Sequence, residues 1–499
     1  MILKSIEAVA ERNAGAMALR FEDKAFTYDG LVREVNRIAN VLRAKGVTNT
    51  STLAVYCENS SDIMVLYYAM AKLGGTFVPV NAGLSSPEVA YILDHAQARI
   101  LVTDEKLTAN AVEAAKGLDC QVFQAKDFFA ATPVLEAIHP EEPADDQFLI
   151  IYTSGSTGVP KAVLFDQQSE VAGNQSLIDM WQITAVDKML VALPLGFLYG
   201  LSTASATGLQ AGCEVIVLRR FRPQDTLEAF IKHGITIFQG VPTMFSMMLE
   251  YADQNDLTFD LSGVRLLISA GAPLPSELRQ RFTARFGAQI QDYYALTEVR
   301  PVFGKFAADS EPVPFGAIGK ASPGVEVKVV DGSGNPLPPN VTGEILVRAP
   351  ATTLGYLNAP TVTESAFVDG YFCTGDLGHY DNQGYFYLTG RIKDIIIRGG
   401  ANIAPAEVEG VLLTHPAVQS TGVVGVADQK FGELPVAFYV TRTNLPIDTE
   451  ELTAHCRATL ADFKVPAHFI HLDDIPLGNT GKIDKKALLS LWKESTYGR

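Results

Sequence analysis

From Tyr28 to about Phe315 the chain alternates between two periodicities, and that alternation leaves few folds open. Leu31, Val35, Ile38, Ala39 and Leu42 recur at helical spacing between Tyr28 and Lys45. Val55 and its neighbours then read as a short strand, a helical stretch runs near Ile63 to Leu73, Gly74 and Gly75 end it, and Thr76 to Val80 resumes as a strand. The exchange recurs through Ile100 to Thr103, Glu214 to Leu218, Thr236 to Gly240 and Leu266 to Ala270. Short apolar strands separated by helices are what a largely parallel sheet requires, because each crossover must carry the chain back along the sheet. After Phe315 the rhythm changes. Val325 to Val330, the turn Asp331 to Gly334, Gly343 to Arg348, and Tyr371 to Leu388 with its turn at Asn382 to Gly384 predict β-hairpins. Beyond Arg391 the pattern predicts a small α+β domain of about a hundred residues.

A length of 499 residues exceeds what one core sustains, so at least two domains are expected. The formal net charge of -16 argues against nucleic acid or an anionic membrane surface as the main partner. Cys57, Cys120, Cys213, Cys373 and Cys456 are far apart, odd in number and free of any C-x-x-C pair, which points to a reduced, cytoplasmic compartment. Lys4, Glu7, Glu11 and Arg12 interrupt the start of the chain, so it does not read as a signal peptide, and no apolar run is long enough for a membrane span.

The densest chemical signal is Thr153 to Lys161, TSGSTGVPK, between the apolar runs Phe148 to Ile151 and Ala162 to Phe165. Gly155 and Gly158 let backbone approach an anion closely, Ser154, Ser156 and Thr157 offer hydroxyls to phosphate oxygens or Mg²⁺, and Lys161 supplies a point charge. A Walker P-loop needs Gly before its lysine and Ser or Thr after it; Pro160 and Ala162 stand there instead. The competing reading, a flexible Ser/Gly linker, sits poorly between two buried-strand patterns.

Four more motifs lie far from this loop: Tyr294-Ala295-Leu296-Thr297-Glu298, Thr374-Gly375-Asp376, Gly390-Arg391-Ile392-Lys393-Asp394 and Asn479-Thr480-Gly481-Lys482-Ile483-Asp484. In this order and at these separations the five motifs resemble the adenylate-forming superfamily of acyl-CoA synthetases, luciferases and peptide-synthetase adenylation domains, over essentially the whole chain. The resemblance implies an α/β fold: a large N-terminal domain with two α/β sheet subdomains and a β-rich subdomain, followed by a small mobile α+β C-terminal domain. It places an adenylation domain at 1–390, a hinge at 391–393 with Lys393 at the pivot, and a lid at 394–499. The cofactors and substrates it implies are ATP, Mg²⁺, coenzyme A and a carboxylic acid.

Residue roles follow from the same resemblance. Glu298, with Thr157, is the expected metal ligand and Thr297 a phosphate-contacting hydroxyl; the competing reading of Glu298 is a carboxylate favoured by a helix dipole. Thr153 to Gly158 and Lys161 would hold the phosphates. Gly271, Ala272 and Pro273, with Asp292, Tyr293, Tyr294 and Ala295, would form the adenine end, although Tyr293 reads nearly as well as a core ring. Asp376 would accept from both ribose hydroxyls, with Arg391 beside it; the alternative is a surface ion pair between the two. Lys482 would bridge the attacking carboxylate and the α-phosphate during adenylation, unless it is an ordinary exposed lysine of the run Lys482, Lys485, Lys486. Arg398, Gly399, Gly400 and Asn402 would face coenzyme A, or the two glycines simply form a tight turn.

The acid is less clearly written. Phe197, in Pro194 to Gly200, occupies a position where many relatives place histidine, and no acidic residue lies between Leu190 and Cys213 to hold a substrate ammonium, so an amino acid is disfavoured. Phe197, Leu198, Phe238, Val241, Met244, Ala270 and Ala295 suggest an apolar pocket, or equally a core. Arg300 would meet a second carboxylate if it points inward; the preferred expectation is an outward, solvated charge. The leading reading is a carboxylic acid–coenzyme A ligase acting on a fatty or aryl acid through an acyl-adenylate. The alternatives are an enzyme loading a separate carrier protein and a non-catalytic nucleotide-binding relative.

Overall fold

The computed structural model describes residues 2–131, 146–153, 160–477 and 483–495. The chain packs as two compact units, one of Met1–Val313, Gly319–Glu326 and Val347–Phe372, the other of Pro314–Ile318, Val327–Leu346 and Cys373–Arg499.

Two sheets organise the first unit. The nine-stranded sheet runs Lys320–Ala321, Phe303–Gly304, Ile290–Tyr294, Leu266–Ser269, Ile237–Gly240, Lys188–Val191, Glu214–Val217, Met17–Phe21, Lys24–Thr27. From Ile290–Tyr294 to Met17–Phe21 it is parallel throughout, and antiparallel strands close both edges. The seven-stranded sheet runs Gly355–Tyr356, Lys161–Phe165, Leu149–Thr153, Thr76–Val80, Thr52–Tyr56, Ile100–Thr103, Gln121–Gln124. Its last five strands are parallel, while Lys161–Phe165 folds back on Leu149–Thr153. The strands anticipated from the apolar runs are present, with ends within a residue or two.

The helices follow their sequence patterns. Helix Tyr28–Ala44 buries Leu31, Val35, Ile38, Ala39 and Leu42, and the Thr27 hydroxyl caps it by accepting from the Gly30 amide at 3.1 Å. Helix Ser61–Lys72 buries every residue except Asp62, as expected of a helix apolar on all sides. Tyr67 meets Tyr68, Phe77 and Phe148 edge-on within that core. Tyr199–Ala206 is a π-helix, which the periodicity did not anticipate.

The second unit contains the hairpin Tyr371–Tyr380 and Phe386–Arg391 from Cys373 onward, with Asp376 opposite Arg391. It continues into a five-stranded sheet ordered Ala401–Ile403, Ile396–Arg398, Gly432–Thr441, Val418–Asp428, with His468–His471 parallel to Gly432–Thr441. Alternate residues of its long strands serve opposite faces. Val423, Ala437 and Tyr439 pack with Val408 and Leu452, whereas Val424, Val436 and Phe438 pack with Leu488. Among the described residues no helix is long and apolar enough to cross a membrane.

Candidate active site

In the first unit the site is built at the carboxyl ends of parallel strands. Strand Ile290–Tyr294 ends in the loop that carries Ala295, Leu296, Thr297 and Glu298. The short strand Val299–Arg300 then pairs with Ala351–Thr352, and the Glu298 carbonyl accepts from the Thr353 amide at 2.7 Å, which fixes the backbone of the glutamate. Its side chain is positioned separately: the Tyr356 hydroxyl donates to Glu298 Oε1 at 2.9 Å. Burial, and then the Glu298 charge, push the Tyr356 phenol well up, so it stays a donor at neutral pH. Lys161 Nζ lies 4.8 Å from the centre of the Tyr356 ring. Thr153 and Lys161 are opposite each other across the antiparallel pair that brackets the glycine-rich loop. Ser154, Gly155, Ser156, Thr157 and Gly158 lie outside the described residues, as does Lys482.

Neighbouring strand ends hold the residues assigned to the adenine end. Gly271 adopts φ +86, a left-handed conformation that glycine takes without strain, after strand Leu266–Ser269 and just before Ala272 and Pro273. Tyr294 stacks on Phe303 with centroids 5.4 Å apart and planes 17° apart. Tyr293, alternating to the other face, is buried edge-on against Trp181 at 5.2 Å. Asp292 pairs with Arg279 of helix Ser276–Phe286; burial pushes its carboxyl up, and the guanidinium opposes that shift.

The segment proposed for the acyl group passes close to other backbone. A Cβ on Gly196 would lie 2.6 Å from Asn81 Cα, and one on Gly200 would lie 2.5 Å from the Pro194 carbonyl oxygen, so both positions exclude side chains. Phe197, Val241 and Ala295 are half-buried, and Leu198, Met244 and Ala270 are buried. Phe238 is fully buried, its ring packed between Phe230 and Phe245, where it serves the core.

Arg300 requires a correction. The expected solvated side chain is 1% exposed. Its Nη2 pairs with Glu170 and donates to Ser202 Oγ at 2.7 Å, while Nη1 donates to Asn174 Oδ1 at 3.2 Å. Tyr67 and Ser202 donate to the other oxygen of Glu170. The guanidinium turns inward because helix Gln167–Trp181 presents Glu170 and Asn174 on one face, at i and i+4, and an isolated buried cation would be far too costly.

In the second unit, Arg391 Nε lies 2.8 Å from Asp376 Oδ1 across the hairpin. Asp376 is nearly buried and its amide donates to Thr374 Oγ1 at 3.0 Å, whereas Arg391 remains 42% exposed. The pairing anticipated as an alternative is therefore present, with the carboxylate inside. Lys393 lies in the 3₁₀ turn Ile392–Asp394. Arg398 donates to the Phe463 carbonyl at 2.7 Å and lies over the Phe431 ring. Gly399 and Gly400 take φ +59 and +85 in the tight turn joining Ile396–Arg398 to Ala401–Ile403, the latter strand carrying Asn402.

Comparison with known proteins places this arrangement. Residues 6–357 match the AMP-binding enzyme family and residues 407–482 match the AMP-binding enzyme C-terminal domain. The chain belongs to the AMP-binding enzyme family. Its curated relatives include the sulfoacetate–CoA ligase of Cupriavidus necator, 33% identical with 93% of this chain and 92% of that protein covered. The feruloyl-CoA synthase of an Amycolatopsis species is 33% identical over 95% of this chain and 96% of that one. Among solved structures, ATP-bound MatB from Rhodopseudomonas palustris superposes with a TM-score of 0.90 at 30% identity, covering all of both chains. This AMP-binding enzyme is an AMP-forming acid–thiol ligase.

The residues of the enzyme's first unit suit Mg²⁺ held largely through substrate phosphates. Mg²⁺ commonly takes one or two protein carboxylates and completes its shell with phosphate and water. Glu298 offers one such carboxylate, with Oε1 steadied by Tyr356 and Oε2 without a hydrogen-bond partner among the described residues. Among those residues no group of three or more His, Cys, Asp or Glu is arranged to hold a metal without substrate. Sequence reasoning missed Tyr356, Glu170, Asn174 and Ser202. No local signal singled them out: the helix that carries Glu170 and Asn174 has other polar i, i+4 pairs, such as the exposed Gln175 and Asp179.

Proposed function

We propose that the enzyme activates an organic monocarboxylic acid with ATP to an acyl-adenylate and pyrophosphate, then transfers the acyl group to coenzyme A with release of AMP. The observation that carries this reading is Tyr356, whose hydroxyl holds the Glu298 carboxylate while its ring lies under Lys161, the residue that ends the hydroxyl- and glycine-rich run of the sequence. When bound, Mg²⁺ would neutralise phosphate charge, with Glu298 and Thr157 as its protein ligands. Glu298 supplies the carboxylate and Tyr356 keeps it oriented. Thr297 and the loop residues Thr153 to Gly158 hold phosphate oxygens, and Asp376 with Arg391 takes the ribose. Lys482 offsets the charge that moves from carboxylate to α-phosphate and pyrophosphate. Movement of residues 394–499 about Lys393 separates adenylation from thiol transfer, and Arg398, Gly399, Gly400 and Asn402 serve coenzyme A. The free cysteines agree with a cytoplasmic enzyme.

The acid reading rests on Arg300. Because Glu170 already neutralises it, Arg300 is not available to a second carboxylate on the substrate, and an apolar fatty or aryl acid agrees with Phe197 and Leu198. The deciding measurement is acid-dependent exchange of labelled pyrophosphate into ATP across short, medium, long, aromatic and dicarboxylic acids, followed by coenzyme A-dependent AMP release. Exchange led by monocarboxylic acids is expected. Exchange confined to dicarboxylic acids would overturn the Arg300 argument, and AMP release only with a carrier protein would replace coenzyme A as acceptor.

A further inference from the structure

Lys485, three residues beyond Lys482, does not sit in its basic run as a solvated charge. Its Nζ lies 3.3 Å from Asp394 Oδ2 and 4.0 Å from Glu409 Oε1, with the side chain 32% exposed. Asp394 closes the 3₁₀ turn Ile392–Asp394, directly after Lys393, and Glu409 belongs to helix Pro405–Leu412. The same Glu409 oxygen accepts from the Val423 amide at 2.8 Å, which holds it against strand Val418–Asp428. Burial pushes the Glu409 carboxyl up; Lys485 and then the Val423 amide oppose the shift, and Asp394 reinforces it. One cation thus stands between two carboxylates that would otherwise repel.

The two residues between Lys482 and Lys485 are anchored as well. Leu477 and Ile483 form an antiparallel bridge, and the Asp484 amide donates to the Pro476 carbonyl at 2.8 Å. Asp484 caps helix Lys485–Glu494, its Oδ1 accepting from the Lys486 amide at 3.0 Å and the Ala487 amide at 3.1 Å. Ile483 packs with Val424, Val436 and Phe438, and it comes so close to Gly422 that an added Cβ there would lie 3.1 Å from Ile483 Cγ2. Lys482 is therefore one residue from a pinned backbone, and Lys485 ties that backbone to the residue that follows Lys393.

We propose that Lys485 is a positioning residue for adenylation: by tying Asp394 to the root of the Lys482 segment, it fixes where Lys482 is presented relative to the Lys393 pivot. This rests on the roles proposed above for Lys482 and Lys393. Asp394, Glu409 and Lys485 all belong to residues 394–499, so the contact travels with that domain in both of its poses. Its loss changes where one lysine is presented, not whether the domain turns, and the thioester step, which does not use Lys482 in this reading, is untouched. Displacing a charge-stabilising group by about 1 Å costs up to roughly a hundredfold in rate. The pair adds little to stability, because Lys485 and Asp394 both still reach solvent. Its removal is felt in geometry.

The test compares, in the full chain, Lys485→Met, which keeps most of the side chain's length without its charge, with Lys485→Arg, Asp394→Asn and Lys482→Ala, each checked by thermal melting. With an acid that supports pyrophosphate exchange in wild type, Lys485→Met should lower the kcat of exchange by about tenfold or more with KM for ATP and acid unchanged. Thioester formation from added acyl-adenylate and coenzyme A should keep its wild-type rate. Lys485→Arg should restore exchange, and Asp394→Asn should match Lys485→Met, with the double variant no slower than either single one. Wild-type exchange in Lys485→Met beside lost exchange in Lys482→Ala would overturn the positioning role and leave the function standing. A fall of both half-reactions in step with the melting temperature would make Lys485 a structural pair only, and equally overturn it. If wild type makes no thioester, coenzyme A is refuted as acceptor, and the exchange rates with the Lys485→Arg rescue decide. Unchanged exchange in Lys482→Ala would refute the reading of Lys482, and no exchange in wild type with any acid would refute the proposed function; the positioning role falls with either.

Discussion

Arg300 with Glu170, and Arg391 with Asp376, are the same two functional groups in different surroundings. In the first pair the side chains are 1% and 0% exposed, and in the second 42% and 6%. Around the buried pair, Ser202, Tyr67 and Asn174 take up most of the remaining hydrogen-bonding capacity, so the charges are directed at one another and act as an internal brace. Arg300 Nε and Asn174 Nδ2 still find no hydrogen-bond partner, which marks the brace as a compromise between charge pairing and packing. In the half-open pair the arginine reaches water, so its charge remains available to something arriving from solvent. Burial, more than residue identity, separates the closed ion pair from the one still open to solvent.

The largest effect expected from this contrast is on stability. Arg300→Leu leaves Glu170 buried without its counter-charge and should cost about 3–5 kcal/mol in chemical denaturation. Adding Glu170→Leu should recover most of that loss. A single variant as stable as wild type would remove the electrostatic basis of the brace.

Asp376→Ala should behave in the opposite way. It is expected to lower kcat/KM for ATP by roughly a hundredfold through the lost charged hydrogen bonds, while stability falls by no more than about 1 kcal/mol because Arg391 can turn to water. A large stability loss with proportionate activity would place Asp376 among the braces. Tyr356→Phe removes one bond to Glu298 and should reduce kcat by roughly two- to tenfold, with a weaker response to Mg²⁺ titration; an unchanged Mg²⁺ response would mean that Tyr356 does not orient the carboxylate. Arg391→Lys should shift stability by less than about 0.5 kcal/mol, as an exposed partner implies, and denaturation midpoints of the two proteins would reveal any larger contribution.

The contrast also explains what was readable in advance. Helix Tyr28–Ala44 and the parallel strands could be recognised because their apolar residues repeat at 3.6 or run continuously, and such periodicity is local. The glycine-rich loop and the Thr297–Glu298 motif were equally local, since a few neighbouring residues carry their chemistry. Tyr356 could not be found in this way: it meets Glu298 only because Gly355–Tyr356 pairs with Lys161–Phe165 while Val299–Arg300 pairs with Ala351–Thr352. The inward turn of Arg300 was missed because an arginine two residues from a motif glutamate is ordinarily solvated, and its partner lies 130 residues away.

Phe238 shows the remaining ambiguity. An apolar residue at a strand end reads alike as pocket wall or core, and the placement of Phe230 and Phe245 on either side of its ring settled which. Fold class, family and the chemical types at the nucleotide motifs were thus written in order and local pattern, because hydrogen-bond periodicity and anion-binding loops depend on near neighbours. Which charges are closed off and which remain open required the folded chain, because charge burial and field are summed over residues that only sheet pairing and helix packing bring together.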